Sequence, residues 1–306
     1  MSLRGAFLAA ALLAAAGCSS DNAAPTPTIT PTITPTITPT ITTALPSTTQ
    51  SIDRNDPRPL LTYGSFAYGI TDYFQPIDEP TISLYPNGTI IHVGLEQRDP
   101  PAPRPLVATT FHVDDAELHR LLRLADATGL DGTGAGGLEP MVSLPTGAQV
   151  IDGGYSSFTR RSGDLVTARF VDQLGASPEY DIGAPRSAFA ALAAALWQHV
   201  NSDTPTGHLT LAHWAIVARD DPSQQPYEEQ QWTGPQLSSL TWTDISTSVH
   251  PRTRCSIITR ADWPVTSGEA RMPHLVIEGA VVTRRPLLPH EHTCADVAAT
   301  RALLHL

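Results

Sequence analysis

Between Pro27 and Thr42 the unit Pro-Thr-Ile-Thr occurs four times in succession, and no other stretch limits the fold of this chain as strongly. Proline at every fourth position fixes φ and removes a backbone donor. Neither helix nor sheet propagates through such a repeat, and an extended polyproline-like course is expected. Ile29, Ile33, Ile37 and Ile41 would give a β-aggregation pattern, which the prolines interrupt. More Pro, Thr, Ser and Ala flank the repeat, so residues 18–58 read as a disordered Pro/Thr-rich linker. At about 3.1 Å per residue, the segment from Ser19 to Arg58 reaches on the order of 100 Å when stiff, which suits a tether. Its threonines also permit O-glycosylation. A packed core must come from the chain beyond the linker, about 250 residues, enough for one large domain or two small ones.

Ahead of the linker stands a leader. Arg4 supplies a positive end, Ala6 to Ala16 form a short apolar run, and Ala15-Ala16-Gly17 precede Cys18. The run is shorter than the roughly 20 apolar residues that cross a bilayer. The pattern resembles a bacterial lipoprotein signal peptide over residues 1–17, although Ala15 stands where such signals more often carry leucine. The resemblance implies acylation of the Cys18 thiol, palmitate among the chains, and cleavage before that residue. An ordinary secretory cleavage near Ala16 is the alternative. Two or more acyl chains anchor a protein stably where one holds it only marginally. The expected location is extracytoplasmic, held to the cell membrane by lipid on Cys18.

Charge narrows the choice of partner. All 19 basic residues are arginine, against 30 acidic ones, for a net charge of −11, one unit more negative once Arg4 leaves with the leader. An acidic, lysine-free surface argues against nucleic acid and against docking on anionic headgroups. With Cys18 assigned to lipid, Cys255 and Cys294 remain as a pair in an oxidising compartment, where a disulfide is expected rather than metal-binding or catalytic thiols.

The periodicities beyond residue 58 predict an α+β chain of two small modules, residues 59–203 and 204–306. Each is expected to be a mainly antiparallel sheet with one or two packed helices. Strands are predicted at Leu60–Tyr63, Thr81–Tyr85 and Thr89–Val93, the last two joined through Asn87-Gly88, a type I′ hairpin signal. Phe111–Val113 leads to a helix with Asp114 as cap, Glu117 at its third position and Gly129 as its stop. Further strands are predicted at Gln149–Asp152, Ser156–Arg160 and Leu165–Val171. A helix beginning at Pro185 and ending at His199 or Val200 comes next. Asn201 to Gly207 reads as the boundary between modules. The second module is predicted to hold strands at Leu209–Ala218, Cys255–Thr259 and His274–Thr283, with a break at Glu278-Gly279. A helical turn is expected at Pro235–Leu240 and a short helix from Ala295. Arg285 to Cys294 is read as too proline-bound for helix or sheet core.

Several short motifs occur together. They are Pro80-Thr81 through Leu84-Tyr85 with Asn87-Gly88, Ala127-Thr128-Gly129-Leu130, Asp152 before a hairpin, and Arg285-Pro286-Leu287-Leu288-Pro289-His290-Glu291 ahead of Cys294. This combination resembles a group of uncharacterised secreted proteins and lipoproteins of actinobacteria, over most of Leu60 to Cys294. The resemblance implies an extracytoplasmic location and two modules. It implies no activity and no catalytic residue.

Candidate chemistry is sparse. His290 and His292 are the weak metal candidates, since i and i+2 of an extended segment share a face and imidazole binds zinc or copper. Cys294 beside them is claimed by the disulfide, and the ligand set is incomplete. The glycines of Gly132 to Gly137 follow a helix and lack the Lys-Ser/Thr of a phosphate loop. Gly154-Tyr155-Ser156-Ser157 is no nucleophile elbow. Asp114, Asp115, Asp152 and Asp181 cannot be paired as acid and base without a fold, and several fit caps and turns. Tyr63, Phe66, Tyr68, Tyr73 and Phe74, with Trp214, Trp232, Trp242 and Trp263, form either a binding face or core, and core is the expectation. The reading is therefore a non-enzymatic envelope lipoprotein that binds or scaffolds an envelope protein or glycan, with no cofactor, metal or catalytic residue assigned. The alternative is an envelope hydrolase or metal-dependent enzyme with a site that its motifs do not reveal.

Overall fold

The structure, a computed structural model, describes residues 52–67, 80–95, 106–130, 137–138, 141–146, 148, 154–209, 212–220, 234–247, 252–259, 274–277 and 280–304. The leader, Cys18 and the Pro-Thr-Ile-Thr repeat lie outside these residues, as do the strand expected at Gln149–Asp152 and the break at Glu278-Gly279. Residues 51–306 form one compact unit. It is α+β, built on two sheets and, among the described residues, three α-helices.

The first sheet runs in the order β5-β7-β6-β1-β2-β3-β4-β8. Its strands are β1 (Leu61–Ala67), β2 (Ile82–Leu84), β3 (Thr89–Leu95), β4 (Leu106–His112), β5 (Gly137–Leu138), β6 (Gly154–Ser162), β7 (Leu165–Asp172) and β8 (Gly207–His208). Every pairing is antiparallel except β5 with β7. Period-2 alternation assigns the faces. Leu61 and Tyr63 of β1 join Ile82, Ile90 and Phe158 under the two helices α1 (Asp115–Ala127) and α2 (Arg186–Ser202). Thr62 points the opposite way and meets Thr159 at 2.6 Å between hydroxyls.

The β2–β3 connection corrects one expectation. Only Gly88 has positive φ, at +83°, and Asn87 does not, so the turn is not type I′. The Gly88 amide donates to the Tyr85 carbonyl at 3.0 Å and the Tyr85 amide to Thr89 at 2.8 Å. This is a three-residue loop with a left-handed glycine at its end. Pro86 explains the change, because its φ is fixed negative at the first central position. A Cβ on Gly88 would stand 2.4 Å from the Val113 carbonyl oxygen.

Helix α1 follows its sequence signals. Asp114 Oδ1 accepts from the Glu117 amide at 2.8 Å, Leu118, Leu121, Leu122 and Ala125 are buried, and Gly129 takes φ +86° beyond the last turn. Helix α2 buries Phe189, Leu192, Ala193 and Leu196 on the same core. It starts one residue after the expected Pro185, whose peptide bond with Ala184 is cis.

The second sheet has the order β10-β11-β9-β13-β12 and is antiparallel throughout. It comprises β9 (His213–Asp220), β10 (Thr243–Asp244), β11 (Thr253–Thr259), β12 (His274–Ile277) and β13 (Ala280–Pro286). Trp214 to Ala218 of β9 are all buried because both faces are covered. Trp214, Ile216 and Ala218 pack with Leu237, Ile258 and Val282. Ala215 and Val217 pack with Cys255, Leu287 and Val297, the last on α3 (Cys294–Leu304).

Two boundaries differ from expectation. Strand β13 extends to Pro286, with Arg285 opposite Ala215 and Pro286 opposite Trp214, so the start of the proline-bound segment is sheet after all. Pro286 is the last residue of the strand, an end position at which proline is tolerated within a sheet. Strand β8, past residue 203, belongs to the first sheet through Thr109 and Thr110 of β4. The two sheets are compatible with two modules. They meet where Leu288 packs with Tyr85, Ile91, Val93 and Ala108 on the face of the first sheet opposite α1 and α2. Helix α3 touches both β6 and β11.

Candidate functional site

The junction between the sheets holds a set of buried polar groups tied to the segment that the sequence singled out. Cys255 on β11 and Cys294 at the start of α3 are joined as a disulfide, with Cα atoms 5.7 Å apart. The chain from Arg285 to Cys294 closes on itself just ahead of it. The Glu291 amide donates to the Leu288 carbonyl at 2.9 Å, making a turn. The Glu291 carboxylate then occupies the middle of the turn, accepting from the Leu288 amide at 2.9 Å and the Thr300 hydroxyl at 2.7 Å. The Arg285 guanidinium pairs with it, and both side chains are 0 % exposed.

Burial alone would raise the Glu291 carboxyl, but the charge and hydrogen bond of Arg285 outweigh it and hold the pKa below the ordinary value. A charge desolvated this fully persists because partners meet it on every side. The Tyr85 phenol, 4 % exposed, lies across the junction. Burial, then the negative charge of Glu291, pushes its pKa up, so it stays neutral.

The two weak metal candidates part company here. His290 sits in the junction with its ring 6.4 Å from that of Tyr85, whereas His292 is exposed and its amide donates to Asp296. They share no face because the Leu288–Glu291 turn replaces the extended course on which the i, i+2 argument rested. Among the described residues, no group of three or more His, Cys, Asp and Glu side chains is placed to hold a metal ion.

A second polar cluster fastens α1 to α2. His199 directs Nε2 to Glu117 at 2.7 Å and Nδ1 to Asp203 at 2.6 Å. The ring therefore bridges a carboxylate of α1 and one at the end of α2. Glu117 also takes Arg120 in a bidentate pair, 2.6 Å at each oxygen. Hydrogen bonding to Arg120, and then to His199, lowers its pKa to about 2. Glu117 was legible as part of a cap, yet its carboxylate goes to Arg120 and His199. The i, i+4 spacing of His199 and Asp203 was the available signal for the rest.

A third cluster braces the loop before α2. Arg186, 5 % exposed, donates to Asp181 at 2.7 Å and to the carbonyls of Tyr180 and Asp172. Asp181 is thus an anchor for a buried guanidinium. Asp114 is a helix cap and Asp115 pairs with Arg54 at the surface. Ser156 and Ser157 are buried within β6. Asp152 and Gly132 to Gly136 lie outside the described residues, and Gly137 opens β5.

Of the aromatics, Tyr63 is core against Phe158 at 5.1 Å. Trp214 is core beneath the Arg284 guanidinium, 4.8 Å away. Trp242 is half-buried beneath Arg254 at the same distance, an arrangement that favours stacking of cation on ring. The side chain of Phe66, together with Tyr68, Tyr73, Phe74, Trp232 and Trp263, lies outside what the structure describes. No family model matches this chain, and no curated protein and no solved structure matches it significantly.

Proposed function

We propose that this chain is an extracytoplasmic lipoprotein whose disulfide-clamped head binds or scaffolds an envelope protein or glycan without catalysing a reaction. The observation that carries the reading is the Cys255–Cys294 disulfide, buried between β11 and α3. Such bonds form and persist in oxidising compartments. The pairing leaves Cys18 as the remaining cysteine, the one placed to take acyl chains at the end of the leader. The use of ionisable groups in the head fits the same reading: Glu291, Glu117 and Arg186 each spend their hydrogen-bonding capacity fastening one element to another. A long linker with such a head at its end is an arrangement for reach and display.

Mass spectrometry of the mature N-terminus, together with detergent-phase partitioning of wild type and Cys18→Ala, tests the address. The expected result is an acylated Cys18 and a detergent-phase protein that Cys18→Ala releases to the aqueous phase. An unmodified N-terminus elsewhere, or free thiols at Cys255 and Cys294, would overturn it. Photocrosslinking from the head in intact cells tests the role. A reproducible envelope neighbour, lost when the head is unfolded by reduction, supports binding. Turnover of an envelope substrate by the purified chain would replace binding with catalysis.

A further inference from the structure

The turn at Leu288–Glu291 holds a half-buried histidine with one ring nitrogen out of reach of solvent. Leu288 anchors the turn in the apolar patch of the first sheet, Glu291 is locked to Arg285 behind it, and His290 lies between, against Tyr85. His290 Nδ1 is buried and, among the described residues, has no hydrogen-bond partner. A second ring proton at that nitrogen would be a buried donor without an acceptor, on a newly charged ring.

The charged groups around it offer little compensation. On the turn itself Glu291 is already neutralised by Arg285 of β13. Arg161 of β6 contributes another positive charge from the first sheet. Asp296 of α3 is the remaining carboxylate, and it is engaged by the amides of His292 and Thr293 and by the Thr293 hydroxyl. Tyr85, at the end of β2, stays neutral.

We propose that this turn is a proton-operated latch: neutral His290 keeps the disulfide-fastened C-terminal segment seated on the first sheet, and protonated His290 lets it lift. The direction comes from burial, which lowers the His290 pKa from 6.5, with Arg285 and Arg161 acting with it and Glu291 and Asp296 against it. The seated form binds the proton less well than the lifted form. Seating is therefore fully favoured above 6.5 and loses its advantage as pH falls from there through the lowered value. The lipid anchor plays no part in this reasoning, so the latch stands or falls apart from the location proposed for the chain.

Amide hydrogen exchange on the full chain, corrected for the intrinsic pH dependence of exchange, reads the latch directly. Protection at residues 288–298 should fall by about tenfold for each pH unit crossed between the two pKa values of His290, while the α1–α2 core keeps its protection. His290→Phe, which keeps a planar ring but cannot titrate, should hold protection constant over the same range. His292→Gln, two residues along and exposed, should behave as wild type. An equal loss in His290→Phe and wild type, or no loss in wild type, overturns the proposal. Should His290→Phe fail to fold, the NMR titration of His290 in wild type decides: a midpoint well below that of an unstructured peptide upholds the latch, and one at or above it sinks it.

Discussion

Glu291 shows how much one buried side chain can commit. Its carboxylate and the Arg285 guanidinium are both fully desolvated, so removing one partner strands the other charge in the interior. Glu291→Gln should destabilise the head by about 3–5 kcal/mol, measured by chemical denaturation. Adding Arg285→Met should recover much of that loss, because the glutamine carbonyl can still accept from the Leu288 amide, its NH2 can donate to the Thr300 hydroxyl, and no charge is left unpaired. Glu117 behaves differently because it is partly solvated. Its pKa falls from 4.5 to about 2, so the stability it contributes is complete above pH 4.5 and lost as pH falls toward 2. Allowing for solvent screening, that amounts to about 1–2 kcal/mol. Glu117→Gln should flatten the acid limb of a stability-against-pH curve by that amount, and an unchanged limb would show that the contacts with Arg120 and His199 are inert.

At the scale of elements, α3 depends most on a single covalent link. Its buried face of Cys294, Val297, Arg301 and Leu304 is small for a helix of 11 residues, and an isolated helix of that length is marginal in water. The disulfide to β11 closes a separation of 39 residues and should contribute roughly 3–4 kcal/mol. Cys255→Ala with Cys294→Ala should lower the denaturation midpoint accordingly, and hydrogen exchange should show α3 losing protection before α1 or α2. Uniform loss across the head would mean that α3 is held by packing alone. The β2–β3 turn offers a contrast, since geometry rather than chain length decides its outcome. Gly88 has φ +83° and a carbonyl 2.4 Å from where a Cβ would stand. Gly88→Ala should therefore cost more than the roughly 1 kcal/mol typical of a simple glycine replacement, read as a drop in thermal midpoint.

At the scale of the whole head, the two sheets share a seam. Leu288 lies in an apolar patch of the first sheet, α3 touches strands of both, and residues 51–306 cluster as one unit. Urea unfolding of the intact disulfide-bonded chain should consequently give one transition, with tryptophan fluorescence and far-UV dichroism coincident. Two separated transitions would instead assign each sheet its own stability and reduce the seam to a contact between independent modules.

The elements were legible where the signal is local. Asp114 with Leu118, Leu121, Leu122 and Ala125 specified α1, because a cap and an apolar stripe act within a few residues of each other. The pair Cys255 and Cys294 was legible because counting cysteines needs no geometry. What escaped was long-range or dependent on a neighbour's exact course. Strand β4 was seen only at its end, and β5 and β8 not at all, since two-residue strands exist only through their partners. Arg285 to Glu291 read as a proline-bound loop with a histidine pair. The fold turned it into a strand end, a tight turn and a buried ion pair, because β9 supplied a sheet edge and the first sheet supplied an apolar seat for Leu288. The sequence alone decided the α+β pattern and the cysteine pairing, which rest on short-range chemistry and counting. Only the tertiary structure decided that His290 and His292 part, and that Glu291 rather than either histidine sits at the centre, because burial is a property of the surroundings and not of the residue.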